Sequence, residues 1–231
     1  MKKTAIILFT MLVTAIQAQE IKQIPMVNVS GEGKVKIEPD QALITISVET
    51  KGNDAVSVKK DNDKKMDAVL KLIKKANIAK EDFQTQRVSL NPNYDYEKKK
   101  NYFLASQTVQ ILLKDLSKYD ELMAGTVDAG INRINNVEFK TSKLLQLQSD
   151  ARKLAIEDAK TKAEDFVSVL GQKVGKAITI SDNSAGYNPQ PILYRAMKSE
   201  AMAMNDGAQN ETLALGEIEI VVNVGVSFIL E

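Results

Sequence analysis

From residue 26 onward, apolar residues occupy alternate positions, a period of two that predicts β-strands. The first predicted strand spans residues 26–37, and its apolar side consists of Val27, Val29, Gly31, Gly33, Val35 and Ile37. A glycine adds no side chain to a buried face. The two glycines therefore predict a bulge or a close approach of another backbone segment, whereas a nucleotide-binding turn would need a following helix and a third glycine.

Residues 41–140 alternate between the period of a strand and that of a helix. The predicted order is a strand over 41–51, a helix from Asn53 or Asp54 to about Asn77, strands over 83–90 and 103–113 around a polar tip, a short helix before Gly130, and a strand over 133–140. This order is β-α-β-β-α-β, which is the ferredoxin-like order.

Residues 143–231 supply the remaining predicted elements. A helix over 143–170 precedes Gly171 and carries Leu144, Leu147, Ala151, Leu154, Ala155, Ala159, Phe166 and Leu170 on one predicted face. Strands follow over 174–180 and 215–230, with a predicted mobile loop at about 181–213 between them. Together with the strand over 26–37, these elements predict a second layer packed on the ferredoxin-like half, and therefore an α+β fold.

The N-terminus has the pattern of a cleaved signal peptide. Lys2 and Lys3 precede an apolar stretch over residues 5–16, and Ala18 offers a small residue for cleavage. This stretch is shorter than a membrane span, and no later segment is long and apolar enough to be one. The sequence therefore predicts signal-peptide residues 1–18, one exported domain over 19–231, and a periplasmic location, with secretion or attachment to the outer membrane as alternatives.

Two missing residue types exclude whole classes of chemistry. The chain has no Cys and no His, so thiolate nucleophiles, imidazole bases and the usual zinc sites are excluded. With 31 basic and 30 acidic residues, and two lysines in the predicted signal peptide, the exported chain is close to neutral. We therefore expect no nucleic-acid partner. The sequence also carries no cofactor-binding motif, so we expect no cofactor.

Several segments, taken in order, resemble the SIMPL domain family and its exported bacterial branch, the YggE-like proteins. They are residues 27–33, Pro39-Asp40, a helix around Asn62, residues 85–96 with Pro92-Asn93-Tyr94, residues 151–163 with their alanines, and residues 170–175. The resemblance implies a periplasmic or cell-surface location, self-assembly into rings and an association with resistance to oxidative stress. The family has no agreed catalytic residues, so none is transferred to this chain.

Three groups of residues are candidate sites. Tyr94 and Tyr96 precede three consecutive lysines at a hairpin tip, a pattern able to stack on a sugar, a nucleic acid or a partner or subunit surface, and also typical of a plain solvated turn. Met197, Met202 and Met204 are suited to subunit packing, Cu(I) binding or oxidation, or to a simple loop. Glu217 and Glu219 alternate on one strand, as a carboxylate pair or an exposed strand face would.

Two functions from different classes remain open. The first is a non-enzymatic envelope protein that forms homo-oligomers and supports tolerance of oxidative or envelope stress. The second is a small-molecule binding protein, or a carboxylate-dependent enzyme, with a cleft between the two halves.

Overall fold

The computed structural model describes residues 24–184, 190–191 and 213–231, which form two antiparallel sheets and three α-helices. The strands are β1 (Met26–Ile37), β2 (Gln41–Gly52), β3 (Phe83–Asp95), β4 (Lys100–Leu113), β5 (Arg133–Lys140), β6 (Val174–Asp182), β7 (Gln190–Pro191) and β8 (Ile218–Leu230). The helices are α1 (Ala55–Lys75), α2 (Tyr119–Ala129) and α3 (Leu144–Ser168). The predicted α+β class is confirmed.

Residues 41–140 form the ferredoxin-like half. Its sheet has the strand order β3-β4-β2-β5, which is the order that this topology requires. Helices α1 and α2 cover one face, where the core includes Ile44, Ile46, Val69, Val109 and Ile111. Helix α1 begins after Asp54, whose carboxylate accepts a hydrogen bond from the Ser57 N–H at 2.8 Å, as an N-cap residue does.

The second half consists of strands β1, β8, β6 and β7 with helix α3 on one face. Strand β8 is central, with β1 on one side and β6 and β7 on the other. Every second residue of β8 from Ile218 to Phe228 is buried. The two hydrophobic cores share no residue among those described, so each half has a core of its own.

Strand β1 and helix α3 make their closest contact at two glycines. A Cβ placed on Gly31 would lie 1.8 Å from the Ala155 carbonyl oxygen, and one on Gly33 would lie 1.9 Å from that of Ala151. The pairing of β1 with β8 runs without interruption from Met26 to Ile37, so the glycines mark a close backbone approach and not a bulge.

The buried side of α3 differs from the predicted one. Ala151, Ala155, Ala159, Ala163 and Val167 are buried, whereas Leu154, Phe166 and Leu170 are exposed. The prediction for these three residues was wrong because the glycines of β1 bring the helix backbone against the sheet. Alanines fill that narrow contact, whereas Leu154 and Phe166 lie on other sides of the helix and Leu170 lies beyond its end.

Helix α3 also covers the outer edge of β1. The Asp158 carboxylate accepts a hydrogen bond from the Glu32 N–H at 2.8 Å, and the Lys162 ammonium donates one to the Ser30 carbonyl at 3.2 Å. Hydrogen bonds from Lys162 and Glu32 hold the pKa of Asp158 below its ordinary value. Because an uncovered edge is open to pairing with another chain, these contacts protect the middle of β1.

Asp40 joins the two segments that connect the halves. It lies before β2, and its carboxylate accepts hydrogen bonds from the Ser142 N–H at 2.7 Å and the Ser142 hydroxyl at 2.6 Å. Ser142 lies between β5 and α3. The two connections are therefore held side by side.

Candidate functional site

The hairpin of β3 and β4 extends past the rest of its sheet. Strand β2 ends at Gly52, opposite Phe103, whereas β3 and β4 stay paired as far as Asp95 and Lys100. The three residue pairs beyond this point project by roughly 10 Å, at about 3.4 Å per residue. Residues 91–95 and 100–102, predicted to lie in or beside the polar tip, are thus strand residues.

The hairpin tip is an ordered turn. The Asp95 carboxylate accepts hydrogen bonds from the Glu97 and Lys98 N–H groups at 3.1 and 3.0 Å, and Lys99 adopts a left-handed conformation with φ 49°. Next to this turn, the rings of Tyr94 and Tyr96 contact each other edge to face, with centroids 5.1 Å apart. The structure therefore brings the two candidate tyrosines together beside the lysines.

A row of apolar side chains leads from the sheet to these tyrosines. Val88, Leu90, Pro92 and Tyr94 occupy alternate positions of β3, and we call them the hairpin stripe. Their cross-strand partners include the buried Ala105, so the stripe lies on the same face of the sheet as α1 and α2. Val88 is 62% exposed, Leu90 38%, Tyr94 45% and the adjoining Tyr96 85%, so the stripe lies largely in solvent.

Strand β3 is an edge strand of its sheet. Its outer backbone groups and the hairpin stripe are therefore presented together, which suits pairing with another polypeptide. The opposite face near the tip is polar, and the Lys51 ammonium lies 5.7 Å from the centroid of the Tyr102 ring. The hairpin therefore has one apolar face and one polar face beside an edge strand.

The candidate carboxylates lie at the start of β8: Glu217 just precedes the strand and Glu219 lies within it. Glu219 lies opposite Lys36 in the pairing of β8 with β1, and β8 is a central strand, unlike the edge strand that the exposed-face interpretation assumed. Within the residues that the structure describes, no three acidic side chains come together in a way that could hold a metal ion. Met197, Met202 and Met204 lie outside the described residues.

Asn62, the centre of one family-like segment, lies on the buried side of helix α1. Its amide nitrogen donates to the Val48 carbonyl at 2.9 Å and the Ala105 carbonyl at 3.3 Å. It also donates to the Thr50 hydroxyl at 3.2 Å. Asn62 thus holds α1 against both β2 and β4, and this role is structural.

Sequence reasoning found the tyrosines of the hairpin but missed Val88 and Leu90 as part of the same surface. The signal was present, since these residues alternate in step with Pro92 and Tyr94. They were interpreted as ordinary strand residues because alternation alone does not tell which side of an edge strand a helix covers.

None of the three helices that the structure describes has the length and apolar character needed to cross a membrane.

Known proteins are similar to this chain over two thirds or more of its length. YggE of Escherichia coli K12 is 29% identical over 220 residues, covering 94% of this chain and 88% of the relative. The 26 kDa periplasmic immunogenic protein of Brucella melitensis biotype 1 is 26% identical over 228 residues, covering 95% of this chain and 90% of the relative. A Xenopus laevis homolog of interleukin-1 receptor-associated kinase 1-binding protein 1 is 19% identical over 160 residues, covering 68% of this chain and 62% of the relative.

The family model of SIMPL, described as a protein of unknown function (DUF541), matches residues 27–228. This match begins in β1 and ends in β8, and so it includes both halves of the fold. The chain belongs to the SIMPL family.

Proposed function

We propose that this protein is an exported envelope protein that acts by associating with further copies of itself and contributes to tolerance of oxidative or envelope stress. The observation that carries the proposal is the solvent-exposed hairpin stripe on an edge strand. Exposed apolar groups in a row on an unpaired edge are characteristic of a surface that binds another polypeptide.

The other features support a second copy of the chain as the partner. The middle of the β1 edge is covered by Asp158 and Lys162, which leaves β3 as a more accessible edge. The family resemblance implies self-assembly, and the Brucella relative is named a periplasmic protein, in keeping with the signal-like N-terminus. A chain without His and Cys also lacks the commonest catalytic bases and nucleophiles.

Light scattering across a concentration range tests the proposal. We expect the purified protein to form a discrete assembly, and we expect the triple variant Val88→Ser/Leu90→Ser/Tyr94→Ser to shift its mass toward that of a single chain. Val127→Ser is a matched control, because Val127 is an exposed apolar residue of α2, away from the hairpin. Its mass should equal that of the wild type.

Two further variants test whether other residues carry the self-association. Phe166→Ser/Leu170→Ser changes the exposed apolar residues at the end of α3, and Met197→Ser/Met202→Ser/Met204→Ser changes the candidate methionines. Loss of the assembly in either of these variants, with no effect of the hairpin variant, would contradict the assignment to the hairpin. A wild-type protein that stays monomeric at every concentration would contradict self-association itself.

A further inference from the structure

Two adjoining clefts lie at the base of the hairpin, at the opposite end from its tip. The first, of about 350 Å³, lies between the end of α1 and the start of α2, and its apolar lining includes Leu72, Ile78, Leu113 and Leu122. The second, of about 550 Å³, has Leu70, Ile78 and Phe83 in its lining. Ile78 lines both, so the two clefts lie on either side of this residue. Their volumes fall in the range of about 300–1,000 Å³ that is usual for small-molecule sites.

The end of helix α1 shapes the region between the two clefts. Asn77 adopts a left-handed conformation with φ 57°, and the Ile78 N–H donates to the Ile73 carbonyl at 3.4 Å. This turn directs Ile78 back beneath the helix. Across the first cleft, a Cβ on Gly125 would lie 3.0 Å from a Leu72 methyl group, so the glycine gives α2 a close contact with α1.

Positive charge surrounds this apolar lining. Lys75 and Lys118 line the first cleft, and Lys74 and Lys80 line the second. Glu121 is the acidic residue among the lining side chains of these two clefts. Among the described residues, no salt bridge engages Lys74, Lys75 or Lys80, and that of Lys118 with Asp115 is long, at 3.9 Å.

We propose that the two clefts form a binding site for an acyl chain with an anionic head group. The leucine, isoleucine and phenylalanine side chains bury the hydrocarbon, and the lysines at the rim bind the carboxylate or phosphate. A flexible, unbranched chain can bend around Ile78 from one cleft to the other, which a rigid ring system cannot do. The same chemistry is presented by a free fatty acid and by an anionic membrane lipid.

This inference goes beyond the proposed function and does not depend on it. Phe83 and Leu113 lie at the base of the hairpin, whereas the stripe leads to its tip. A variant of the clefts is therefore expected to leave self-association unchanged, and a variant of the stripe is expected to leave acyl binding unchanged.

Titration of the purified protein with dodecanoate, followed by calorimetry, tests the site. We expect saturable binding, and we expect Lys75→Glu/Lys118→Glu to weaken it by about tenfold or more, because two attractive charges become repulsive. Lys60→Glu/Lys64→Glu makes the same change of charge on an exposed part of α1 away from the clefts and should bind as the wild type does. Dodecylamine, which has the same chain and a cationic head, should bind at least about tenfold more weakly than dodecanoate.

A second variant and a vesicle assay complete the experiment. Leu122→Glu places a charge in the lining of the first cleft and should weaken dodecanoate binding. Its circular dichroism spectrum shows whether the variant is folded. Co-sedimentation with phosphatidylglycerol vesicles tests whether the site binds an anionic membrane lipid rather than a free fatty acid. Binding of either probe that is lost in Lys75→Glu/Lys118→Glu supports the site. Absence of binding to both probes, or equal affinity in the charge-reversed variant, would overturn it.

Discussion

At the scale of single residues, the contact of β1 with α3 depends on two positions where any side chain is too large. The hypothetical Cβ atoms of Gly31 and Gly33 would lie within 2 Å of helix carbonyl oxygens. Backbone atoms cannot rotate away as the end of a side chain can, so substitution must move the whole helix. The glycines and the alanines of α3 therefore form one packing unit.

We expect Gly31→Ala to lower the free energy of unfolding by about 3 kcal/mol or more, since it overpacks a contact between backbone segments. Ser30→Ala is the control, because Ser30 is exposed on the other face of the same strand, and its effect should stay within about 0.5 kcal/mol. Urea unfolding measures both. Equal stability of Gly31→Ala and the wild type would show that α3 is not held as closely as the structure places it.

Asp40 gives a second prediction at the residue scale, in the pH dependence of stability. Partial burial acts to raise the pKa of its carboxyl, but hydrogen bonds from the Ser142 hydroxyl and N–H and the charge of Lys143 hold it below the ordinary value of 3.8. A folded pKa below the unfolded one means that the carboxylate stabilises the fold above the unfolded pKa. This contribution is lost as the pH falls through the folded pKa.

Asp40→Asn should therefore be less stable than the wild type near pH 6, and the difference should shrink as the pH falls below 3.8. Urea unfolding at a series of pH values measures the difference. A gap between the two proteins that is constant across this range would show that the charge of Asp40 does not hold the connecting segments together.

At the scale of elements, a buried amide positions helix α1 on its sheet. Asn62 is 1% exposed and donates to groups of both β2 and β4, so it fixes the helix relative to two strands at once. Apolar packing by Met66 and Val69 holds the helix on the sheet without specifying its position along the strands. We infer that the amide supplies this specificity.

We expect Asn62→Ala to lower the free energy of unfolding by about 2 kcal/mol, because it removes hydrogen bonds to buried acceptors and leaves a small cavity. Asn53→Ala changes an exposed asparagine just before the same helix and should cost less than about 0.5 kcal/mol. Denaturant unfolding of both variants makes the comparison. Similar effects of the two substitutions would contradict a positioning role for Asn62.

At the scale of the whole molecule, the two halves have separate cores and are joined at the segments around Asp40 and Ser142. The hairpin stripe and the acyl clefts both belong to the ferredoxin-like half. The half built around α3 instead contains the glycine and alanine contact and the covered edge of β1. We propose that it is mainly structural, while the ferredoxin-like half carries the surfaces that bind.

Export of the molecule is the prediction at this scale. When the full-length chain is expressed in a Gram-negative host, we expect it in the periplasmic fraction, with an N-terminus that begins at Gln19 after cleavage behind Ala18. Cell fractionation and N-terminal sequencing check this. Replacing Lys2 and Lys3 by Glu should retain the chain in the cytoplasm, and an unprocessed wild-type chain found there would contradict export.

Much of the fold could be predicted from local patterns. The bounds of β1 and β5 match the prediction because turn signals mark them: Glu38-Pro39-Asp40 follows β1, and Gly130 ends the helix that precedes β5. Helix α2 ends where Gly130 adopts a left-handed conformation. The glycine after the last apolar position of the helix predicted this end. The hairpin was predicted too short because Asn91 and Asn93 have polar side chains. Their place in a strand depends on pairing with Leu104 and Tyr102, which lie outside any local window.

The candidate site was predicted only in part, for a related reason. Tyr94 and Tyr96 could be recognised in the sequence as aromatic residues next to three lysines. Val88 and Leu90 are part of the surface only because α1 and α2 leave that part of β3 exposed. The lysines around the clefts looked like ordinary charges of solvated helix faces. Their grouping depends on residues 74–80 meeting residues 113–125 in space.

The sequence by itself determined the order of the elements, the ferredoxin-like topology and the absence of imidazole and thiol chemistry. Each of these follows from residue types and from spacing within a short window. Only the tertiary structure decided which side of α3 is buried, which edge strand stays accessible and where apolar clefts open beneath the helices. These features depend on distances between residues far apart in the chain, and such distances are set by packing: two glycines in β1 determine the position of a helix more than 100 residues later.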